Sequence, residues 1–375
     1  MQAVVREDRG VVVHKDFPEP GSPNGLGTPA RDSTSRPPAS ERSTGSTLEA
    51  LVRLTRAGIS SFDVAVARGF VNFRGVMGHE FVGIVERIID RAGTNDISES
   101  ASAWIGKRVV GSKTIVCGRC ERCRGGLSSH CTDRTVLGTH GRDGCFAERF
   151  LVPVANLAEL PKGVSDDAGV FAQGVAAAVH AAKVMRLESK AYITVLGDGP
   201  MGLLCAQVMA RLNASVRLLG THPAKFSLCE RWGVKHRHVA EVGLRQDQDV
   251  VVDCTGSASG VTLALRLVRP RGKIILKSAG MLVNDAGVAT GAALDGPKVG
   301  ARGVADGGID LSLAVVNEVE LIGVRCGKIA EGVSALAKGE VDVSALVTGR
   351  SRLGDAVVAL NEAADTRQIK VVLEA

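Results

Sequence analysis

A glycine-rich turn near the middle of the chain constrains its fold more than any other feature. Residues 191–202 read Ala-Tyr-Ile-Thr-Val-Leu-Gly-Asp-Gly-Pro-Met-Gly. The stretch 192–196 is apolar or β-branched and predicts a buried parallel strand. Gly197, Gly199 and Gly202 follow with G-x-G-x-x-G spacing, and an apolar helical pattern comes next. In a chain with 45 glycines this spacing alone is a weak signal. It becomes informative because a predicted strand precedes it and a predicted helix follows it.

Each glycine in this turn has a physical reason to be there. Gly197 permits the tight turn out of the strand, and Gly199 lacks a Cβ, so that a pyrophosphate can approach the backbone. Gly202 lets the helix pack closely on the strand, and the helix N-terminus then faces the phosphate charge. Pro200 and Met201 begin the helix and belong to the same predicted site. The turn therefore predicts a nucleotide-binding site rather than an ordinary glycine-rich loop.

Composition narrows the class of protein. A chain of 375 residues with 45% hydrophobic residues is long enough for two domains with cores of their own. Its net charge of +6 is scattered rather than blocked, so no nucleic-acid partner is expected. Apolar runs of about 18 residues, which would predict membrane spans, are missing, and the first residues are too charged for a signal peptide. The cysteine pattern favours a reducing cytoplasm over a disulfide framework.

Two segments have compositions unlike the rest of the chain. Residues 18–47 are mostly Pro, Gly, Ser, Thr and Arg, with too little apolar surface to offset their ordering entropy. We interpret them as a disordered insertion. Residues 280–308 are rich in Gly, Ala, Val and Asp without periodicity, and they predict a second, flexible insertion.

Strands and helices alternate after the glycine turn. The chain predicts strands at 216–220, 250–254, 273–278 and 320–324, with helical patterns between them. Ser257 is predicted to cap one of these helices. This alternation indicates an α/β fold with a doubly wound parallel sheet. The residues before the turn instead predict a series of short strands, beginning with a hairpin around Arg9 and Gly10.

A cluster of four cysteines lies in a segment rich in Gly and Arg. Cys117, Cys120, Cys123 and Cys131 have the spacing C-x2-C-x2-C-x7-C. Four thiolates at this spacing predict a closed, tetrahedral and therefore structural zinc site, in a lobe covering 111–134. An iron–sulfur cluster is the alternative, because three cysteines two residues apart resemble ferredoxin spacing. The distance of the fourth cysteine, with no proline after it, favours zinc.

With these motifs in order, the chain resembles the zinc-containing medium-chain dehydrogenase/reductase family, the family of the alcohol dehydrogenases. Besides the glycine turn and the cysteine lobe, the resemblance is carried by five short segments. These are Ala57-Gly58-Ile59 before Asp63, Gly78-His79-Glu80-Phe81-Val82-Gly83, Gly144-Cys145-Phe146-Ala147-Glu148, Asp253-Cys254-Thr255-Gly256 and Ile369-Lys370-Val371-Val372-Leu373.

The resemblance implies the domain organisation. A β-rich, GroES-like catalytic domain is expected over 1–165, and a Rossmann domain over 166–340. Residues 341–375 are expected to return to the catalytic domain. In this family the active site lies in the cleft between the two domains, and the protein is a dimer or a tetramer.

The resemblance also implies a catalytic zinc ion that holds the substrate oxygen while hydride passes to or from a nicotinamide. His79 matches a zinc ligand of the family, and Glu80, which matches its acidic neighbour, is a second candidate ligand of the catalytic zinc. Asp63 matches the carboxylate that orients the ligand histidine. Alternatively, His79 is a buried core histidine whose hydrogen-bonding partner is Asp63. The sequence does not decide between these two interpretations.

Three positions depart from the family pattern. Ser60 stands where the family has a cysteine ligand, and Gln173 stands where a Glu or Cys is common. Phe62 occupies the position where the family commonly has a Ser or Thr for the proton relay, although Ser61 beside it keeps a hydroxyl. A hydroxyl and an amide cannot replace thiolate or carboxylate charge, so we expect a degraded catalytic zinc site.

The type of cofactor is read after the second Rossmann strand. NAD-binding folds place an acid there for the ribose hydroxyls, whereas this chain has Thr221, His222 and Lys225 without an acid. These side chains favour the 2′-phosphate of NADP over NAD. The resemblance adds Thr255 and Lys370 as cofactor contacts.

Three functions remain open from the sequence. The first is a zinc-type alcohol or polyol dehydrogenase that moves hydride between a small alcohol or carbonyl substrate and NAD(P). The second is a zinc-free, NADPH-dependent reductase of the same fold. The third is an NAD(P)-binding protein without catalysis. The intact cysteine lobe favours the first, and Ser60, Phe62 and Gln173 count against it.

Overall fold

A computed structural model of the chain describes residues 1–20, 48–91, 97–187, 190–212, 214–278 and 309–375. These residues form two compact units. The first comprises 1–173, 328–339 and 343–375, and the second comprises 174–327 and 340–342. The predicted insertions 18–47 and 280–308 lie almost entirely outside the described residues.

Short strands dominate the first unit. They are β1 (Ala3–Glu7), β2 (Gly10–His14), β3 (Leu48–Ile59), β4 (Gly75–Val76), β5 (Glu80–Asp90), β6 (Arg108–Gly111), β7 (Thr114–Ile115), β8 (Thr135–Leu137), β9 (Gly141–Arg142), β10 (Arg149–Pro153), β11 (Leu157–Glu159), β18 (Val347–Arg352) and β19 (Lys370–Glu374). The predicted hairpin is confirmed by the antiparallel pairing of β1 with β2.

The main sheet of this unit is built around the long strand β3. Its strands lie in the order β11-β6-β5-β3-β19-β18, and β10 also pairs with β3. β3 is antiparallel to β5, β10 and β19. The C-terminal strand β19 thus returns to the N-terminal sheet, as the family resemblance implies. Buried apolar side chains such as Leu54, Phe81 and Phe146 form the core beneath the sheet.

Helices are short in the first unit. They are α1 (Ser61–Ala67), α2 (Glu99–Ser102), α3 (Glu121–Arg124), α4 (Asp166–Gly169), α10 (Ile329–Ala337) and α11 (Ala356–Ala363). A longer helix, α5 (Ala172–Met185), begins at the end of this unit and continues into the second.

The second unit contains a six-stranded parallel sheet. Its strands are β12 (Ala191–Leu196), β13 (Ala214–Gly220), β14 (Lys235–His238), β15 (Gln248–Asp253), β16 (Val268–Leu276) and β17 (Glu320–Gly323). They lie in the order β14-β13-β12-β15-β16-β17. The helices are α6 (Pro200–Ala210), α7 (Phe226–Arg231), α8 (Ala258–Leu267) and α9 (Ser312–Val316). The predicted doubly wound parallel sheet of a Rossmann fold is confirmed, and Ser257 caps α8 through the N–H of Gly260.

The division of the chain differs from the sequence-based boundaries in several places. Residues 166–173, with helix α4, belong to the first unit, and residues 341–342 belong to the second. Helix α10 falls within the predicted range 166–340, yet it belongs to the first unit, where it contacts α4 and β11. Its apolar side chains Val333 and Leu336 are buried. A boundary drawn from the strand and helix pattern misses this helix, because its burial depends on which unit it packs against.

No helix within the described ranges is long and apolar enough to cross a membrane.

Candidate functional site

The glycine turn connects β12 to α6 in the second unit. Gly197 has a φ of +101°, which only glycine adopts without strain. A Cβ at Gly202 would lie 1.8 Å from the carbonyl oxygen of Gly197, so the helix approaches the turn closely only because this residue is glycine. A Cβ at Gly199 would have no atom within 4 Å. The structure therefore leaves open space at the position where the sequence predicts a pyrophosphate.

No side chain in the described part of the chain caps the backbone N–H groups in the first turn of α6. Gly199 is the N-cap residue and provides no side-chain hydrogen bond to the helix, and Pro200 follows it. The backbone N–H groups of Met201 and Gly202, in the first turn of α6, therefore face the side where an anion would bind. The positive end of the helix dipole lies on the same side.

Asp198 organises the end of β13. Its carboxylate accepts hydrogen bonds from the backbone N–H groups of Thr221 (2.8 Å) and His222 (2.7 Å), and it lies 3.0 Å from Nδ1 of His222. The hydroxyl of Thr221 is also 3.0 Å from that nitrogen. Lys225, by contrast, is buried, so its side chain is turned away from solvent. The three residues predicted to receive a 2′-phosphate are thus not equivalent: Thr221 and His222 share one anchored loop, whereas Lys225 does not reach the surface.

Thr255 follows β15 and is tied to the end of that strand. Both its N–H (3.0 Å) and its hydroxyl (2.6 Å) donate to Oδ1 of Asp253. Burial raises the pKa of Asp253, and the hydrogen bonds from Thr255 offset only part of that effect. Thr255 therefore has a rigid position beside the Rossmann sheet.

In the first unit, Ser60, Asp63 and His79 form a compact polar group. Ser60 is the N-cap of α1, and its hydroxyl oxygen accepts from the N–H groups of Phe62 and Asp63. The same hydroxyl donates to Oδ2 of Asp63 at 2.6 Å, and the N–H of Ser60 donates to that oxygen at 2.8 Å. Ser60 and Asp63 thus form a capping box.

His79 lies in the loop between β4 and β5, directly after Gly78. Gly78 has a φ of +93°, and a Cβ there would collide with the ring of Phe146. Nδ1 of His79 is 3.2 Å from Oδ1 of Asp63, although the two atoms are not aligned as a hydrogen bond. Both side chains are almost fully buried. Burial acts to raise the pKa of Asp63, but electrostatic attraction to the neighbouring His79 ring and the hydrogen bonds from Ser60 outweigh burial and lower it.

The other ring nitrogen of His79 faces a cation. Nζ of Lys113 lies 3.5 Å from Nε2 of His79, and the Ser60 hydroxyl lies 3.4 Å from the same nitrogen. The Lys113 ammonium also stands over the ring of Phe62, 5.6 Å from its centroid. When the ring of His79 carries its proton on Nδ1, that proton points toward Asp63, and Nε2 can accept a hydrogen bond from Lys113.

Gln173 and Glu80 both have their oxygens in use. Oε1 of Gln173 accepts the backbone N–H of Lys113 at 2.9 Å. Oε2 of Glu80 lies 2.6 Å from Nζ of Lys370, which also donates to the carbonyl of Ile59. Lys370, which the resemblance gives as a cofactor contact, is buried and neutralises the charge of Glu80. Ser61 is exposed at the start of α1.

The four cysteines of the lobe converge. Their sulfur atoms lie within 4.8 Å of one another, and no other group of His, Cys, Asp and Glu in the described part of the chain comes together as a possible metal site. The sulfurs of Cys117 and Cys131 are 3.5 Å apart, and those of Cys120 and Cys131 are 3.9 Å apart. A tetrahedral zinc ion with bonds of about 2.3 Å places its sulfurs about 3.8 Å from each other. The donor set and its spacing therefore fit a zinc ion.

Two residues of these sites were missed by sequence reasoning. Lys113 lies 34 positions from His79 and belongs to no motif, so only the fold brings the two together. Asp198 stands inside the glycine pattern as its first variable residue, and the adjacent glycines were the only signal that could have marked it.

The chain is similar to known dehydrogenases in sequence. Residues 46–162 match the family model of the alcohol dehydrogenase GroES-like domain. An L-threonine 3-dehydrogenase of Chelativorans sp. (strain BNC1) is 28% identical over 330 residues, which is 82% of this chain and 86% of the relative. A second L-threonine 3-dehydrogenase, from Vibrio cholerae (strain M66-2), is 30% identical over 212 residues, or 54% of this chain and 59% of the relative.

Solved structures share the fold over the whole chain. A zinc-binding dehydrogenase from Sinorhizobium meliloti 1021, bound to NADP, is 25% identical with a TM-score of 0.75, and the match covers 100% of this chain and 99% of that one. A dehydrogenase from E. coli CFT073 complexed with NADH is 20% identical with the same TM-score of 0.75 and covers 100% and 99%, which shows the fold alone. With its GroES-like sheet, Rossmann sheet and cysteine lobe, the chain is similar to the alcohol dehydrogenase-like family of medium-chain dehydrogenases, whose GroES-like domain model matches residues 46–162.

Proposed function

We propose that the chain is an NADP(H)-dependent oxidoreductase that transfers hydride between the nicotinamide and a small carbonyl or alcohol substrate. The observation that carries this proposal is the glycine turn of the second unit, with its open space at Gly199 and its uncapped helix N-terminus. The relatives named above are dehydrogenases, and one similar structure holds NADP.

The preference for NADP(H) rests on the loop after β13. NAD-binding sites need a carboxylate that accepts from the ribose hydroxyls. Asp198 is a nearby acid, but its Oδ2 accepts the N–H groups of both Thr221 and His222, and its Oδ1 lies 3.0 Å from Nδ1 of His222. We assign the 2′-phosphate to Thr221 and His222, and we leave the buried Lys225 out of this site.

The polar group around His79 does not fit a catalytic zinc ion. A catalytic site of this kind needs three protein ligands and one open position. Ser60 uses its hydroxyl to cap α1 and to bind Asp63, Gln173 binds the backbone of Lys113, and Glu80 is neutralised by Lys370. Only His79 keeps the chemistry of a zinc ligand, and a lysine ammonium faces its Nε2. The proposed enzyme is therefore the zinc-free reductase of this fold.

The lobe is a different case. We propose that Cys117, Cys120, Cys123 and Cys131 would hold one structural zinc ion, which would stabilise the lobe and take no part in the reaction. Two N–H groups support the thiolates: that of Cys117 donates to the sulfur of Cys131, and that of Cys120 donates to the sulfur of Cys117.

Calorimetry with NADPH and NADH tests the proposal. Wild-type protein should bind NADPH more tightly than NADH. Gly199→Val should abolish both, since its side chain fills the space assigned to the pyrophosphate. Gly243→Val is the matched control, because Gly243 lies in the same unit, also has open space at its Cβ position and is remote in sequence from the turn. Binding of both cofactors by Gly199→Val would contradict the proposed site, and a preference for NADH would contradict only the phosphate assignment.

A further inference from the structure

The cation beside His79 suggests what replaces the metal. In the proposed reductase, reduction of a carbonyl places negative charge on its oxygen, and some positive group must stabilise that charge. We propose that Lys113 is a catalytic residue that binds the carbonyl oxygen of the substrate through its ammonium group, in the role that zinc has in the metal-dependent members of the family. This inference rests on the proposed function and names the group on which that function depends.

Three contacts hold Lys113 in place. Its backbone N–H donates to Gln173, so the side chain at the family's third ligand position now fixes the lysine. Its ammonium faces Nε2 of His79 and the ring of Phe62. No carboxylate in the described ranges lies at ion-pair distance from Nζ. The charge of the ammonium is therefore oriented without being neutralised, as a group that stabilises an oxyanion must be.

The three departures from the family pattern fit this role together. Ser60 no longer provides a thiolate and caps a helix instead. Gln173 provides a neutral acceptor for the Lys113 backbone, where a carboxylate would pair with the ammonium. Phe62, in the place of the relay hydroxyl, offers an aromatic face to the cation. Lys113 thus accounts for the departures at Phe62 and Gln173, and at Ser60 no thiolate is left to attract a metal ion.

The reaction balances with the cofactor of the proposed function. The bound reduced nicotinamide would supply a hydride, with its electron pair, to the carbonyl carbon. The π bond of the carbonyl breaks and its electrons move to the oxygen, where the ammonium of Lys113 donates a hydrogen bond to the oxyanion. The oxygen takes a proton from solvent, and the products are the alcohol and the oxidised nicotinamide. Lys113 keeps its proton throughout.

The charge of Lys113 also indicates the substrate class. A monovalent ammonium polarises a carbonyl less than a divalent metal ion does. The substrate must therefore already be electron-poor, such as an aldehyde or ketone with an electron-withdrawing neighbour. Reduction of such carbonyls should be faster than oxidation of simple alcohols.

The test uses NADPH-dependent reduction of 4-nitrobenzaldehyde and of ethyl pyruvate. The rate is measured as the decrease in NADPH absorbance. Lys113→Met removes the charge but keeps the length of the side chain, and it should lower kcat by about 10²- to 10³-fold, as the loss of an oxyanion donor does. NADPH affinity and the melting temperature should not change. Lys113→Arg should retain part of the activity, and added propylammonium should restore part of the activity of Lys113→Ala. Lys107→Met is the matched control, since Lys107 is an exposed lysine that pairs with Glu159.

The outcomes separate the two claims. If wild-type protein reduces the probes and Lys113→Met reduces them equally well, the role of Lys113 is overturned and the proposed function stands. A second zinc ion per chain in active wild-type protein would also overturn it, because the metal would then supply the charge. If wild-type protein binds NADPH but reduces neither probe, the proposed function fails and the inference falls with it.

Discussion

The hydroxyl of Ser60 lies 2.6 Å from the carboxylate of Asp63, and both residues belong to the capping box of α1. The position where the family has a metal-binding thiolate is therefore part of a helix terminus. The same carboxylate lies against His79. A single acid thus connects the start of a helix to the histidine of the polar group, so changes at Ser60 act on local stability as well as on chemistry.

The cap itself can be tested by mutation. Ser60→Ala removes both the acceptor for the helix N–H groups and the donor to Asp63, and we expect a loss of about 0.5–2 kcal/mol in the free energy of unfolding. Ser61→Ala is the matched control, because Ser61 is the exposed neighbour at the first helical position. Urea unfolding followed by circular dichroism gives both values. Equal stability of the two variants would mean that the cap has no energetic role.

The cysteine lobe predicts a dependence on metal. Cys120→Ser removes one of four thiolates, and because metal binding contributes directly to folding free energy, we expect loss of the zinc ion and a lower melting temperature. Zinc per chain is measured by mass spectrometry of the dialysed protein. Cys326→Ser serves as control, since Cys326 is a thiol of the second unit outside the lobe. Full zinc retention in Cys120→Ser would rule out the predicted ligand set.

Asp143 predicts a stability that depends on pH. Burial raises the pKa of Asp143 from 3.8 to about 6, and the N–H of Val76 and the charge of Arg142 offset only part of this effect. The folded protein therefore binds the proton more tightly than the unfolded chain, so stability falls as pH rises from about 4 through about 6. Asp143→Asn keeps the acceptor for Val76 without the charge. At pH 7 to 8 it should be more stable than wild type by about 1–3 kcal/mol, and this difference should shrink as pH falls to 5.

Glu49 gives the opposite sign and serves as the comparison. Burial acts to raise its pKa, but ion pairs with Arg142 and Arg91 outweigh burial and lower it. Its stabilisation is complete above its unfolded pKa and is lost only as pH falls through the lower folded value. Glu49→Gln should therefore destabilise the protein by a constant amount, about 1–3 kcal/mol, between pH 5 and 8. Parallel pH profiles for Asp143→Asn and Glu49→Gln would contradict the assignment of Asp143.

How much the sequence could predict depends on whether the signal is local. The glycine turn was identified from the sequence because its strand, turn and helix are contiguous. The edge strands β14 and β18 were missed, since Lys-His-Arg-His and Val-Thr-Gly-Arg-Ser-Arg carry little of the apolar pattern that marks a strand. Ser60 was interpreted as a failed ligand, although Ser-Ser-Phe-Asp contains the Ser-x-x-Asp spacing of a capping box.

Local sequence patterns do not predict the polar group around His79. Lys113 stands next to the short strand β7 and four residues before Cys117, the first cysteine of the lobe, but it matches no motif itself. Its proximity to His79 depends on the loop between β4 and β5 and on the contact of its backbone with Gln173 at the start of α5. These contacts join three distant parts of the chain, so no pattern in the sequence specifies them.

Restoring the family's zinc ligands is the last prediction. From the sequence alone, Ser60→Cys with Gln173→Glu should suffice to bind a second zinc ion. The structure adds the Lys113 ammonium, 3.5 Å from the nitrogen of His79 that would bind the metal. We therefore expect the double variant to keep one zinc ion per chain, because the ammonium repels a divalent cation from this position and pairs with the new carboxylate.

Adding Lys113→Ala to the double variant should raise the zinc content from one to two per chain, since the repelling charge is removed while the ligands stay. The same double variant with Lys107→Ala is the control and should keep one. Ser60→Cys also weakens the cap of α1, so the unfolding curves of all variants are recorded first, and only folded protein is analysed for zinc. A second zinc ion in the double variant would show that Lys113 does not stand in the place of the metal. The three departures at Ser60, Phe62 and Gln173 would then need another explanation.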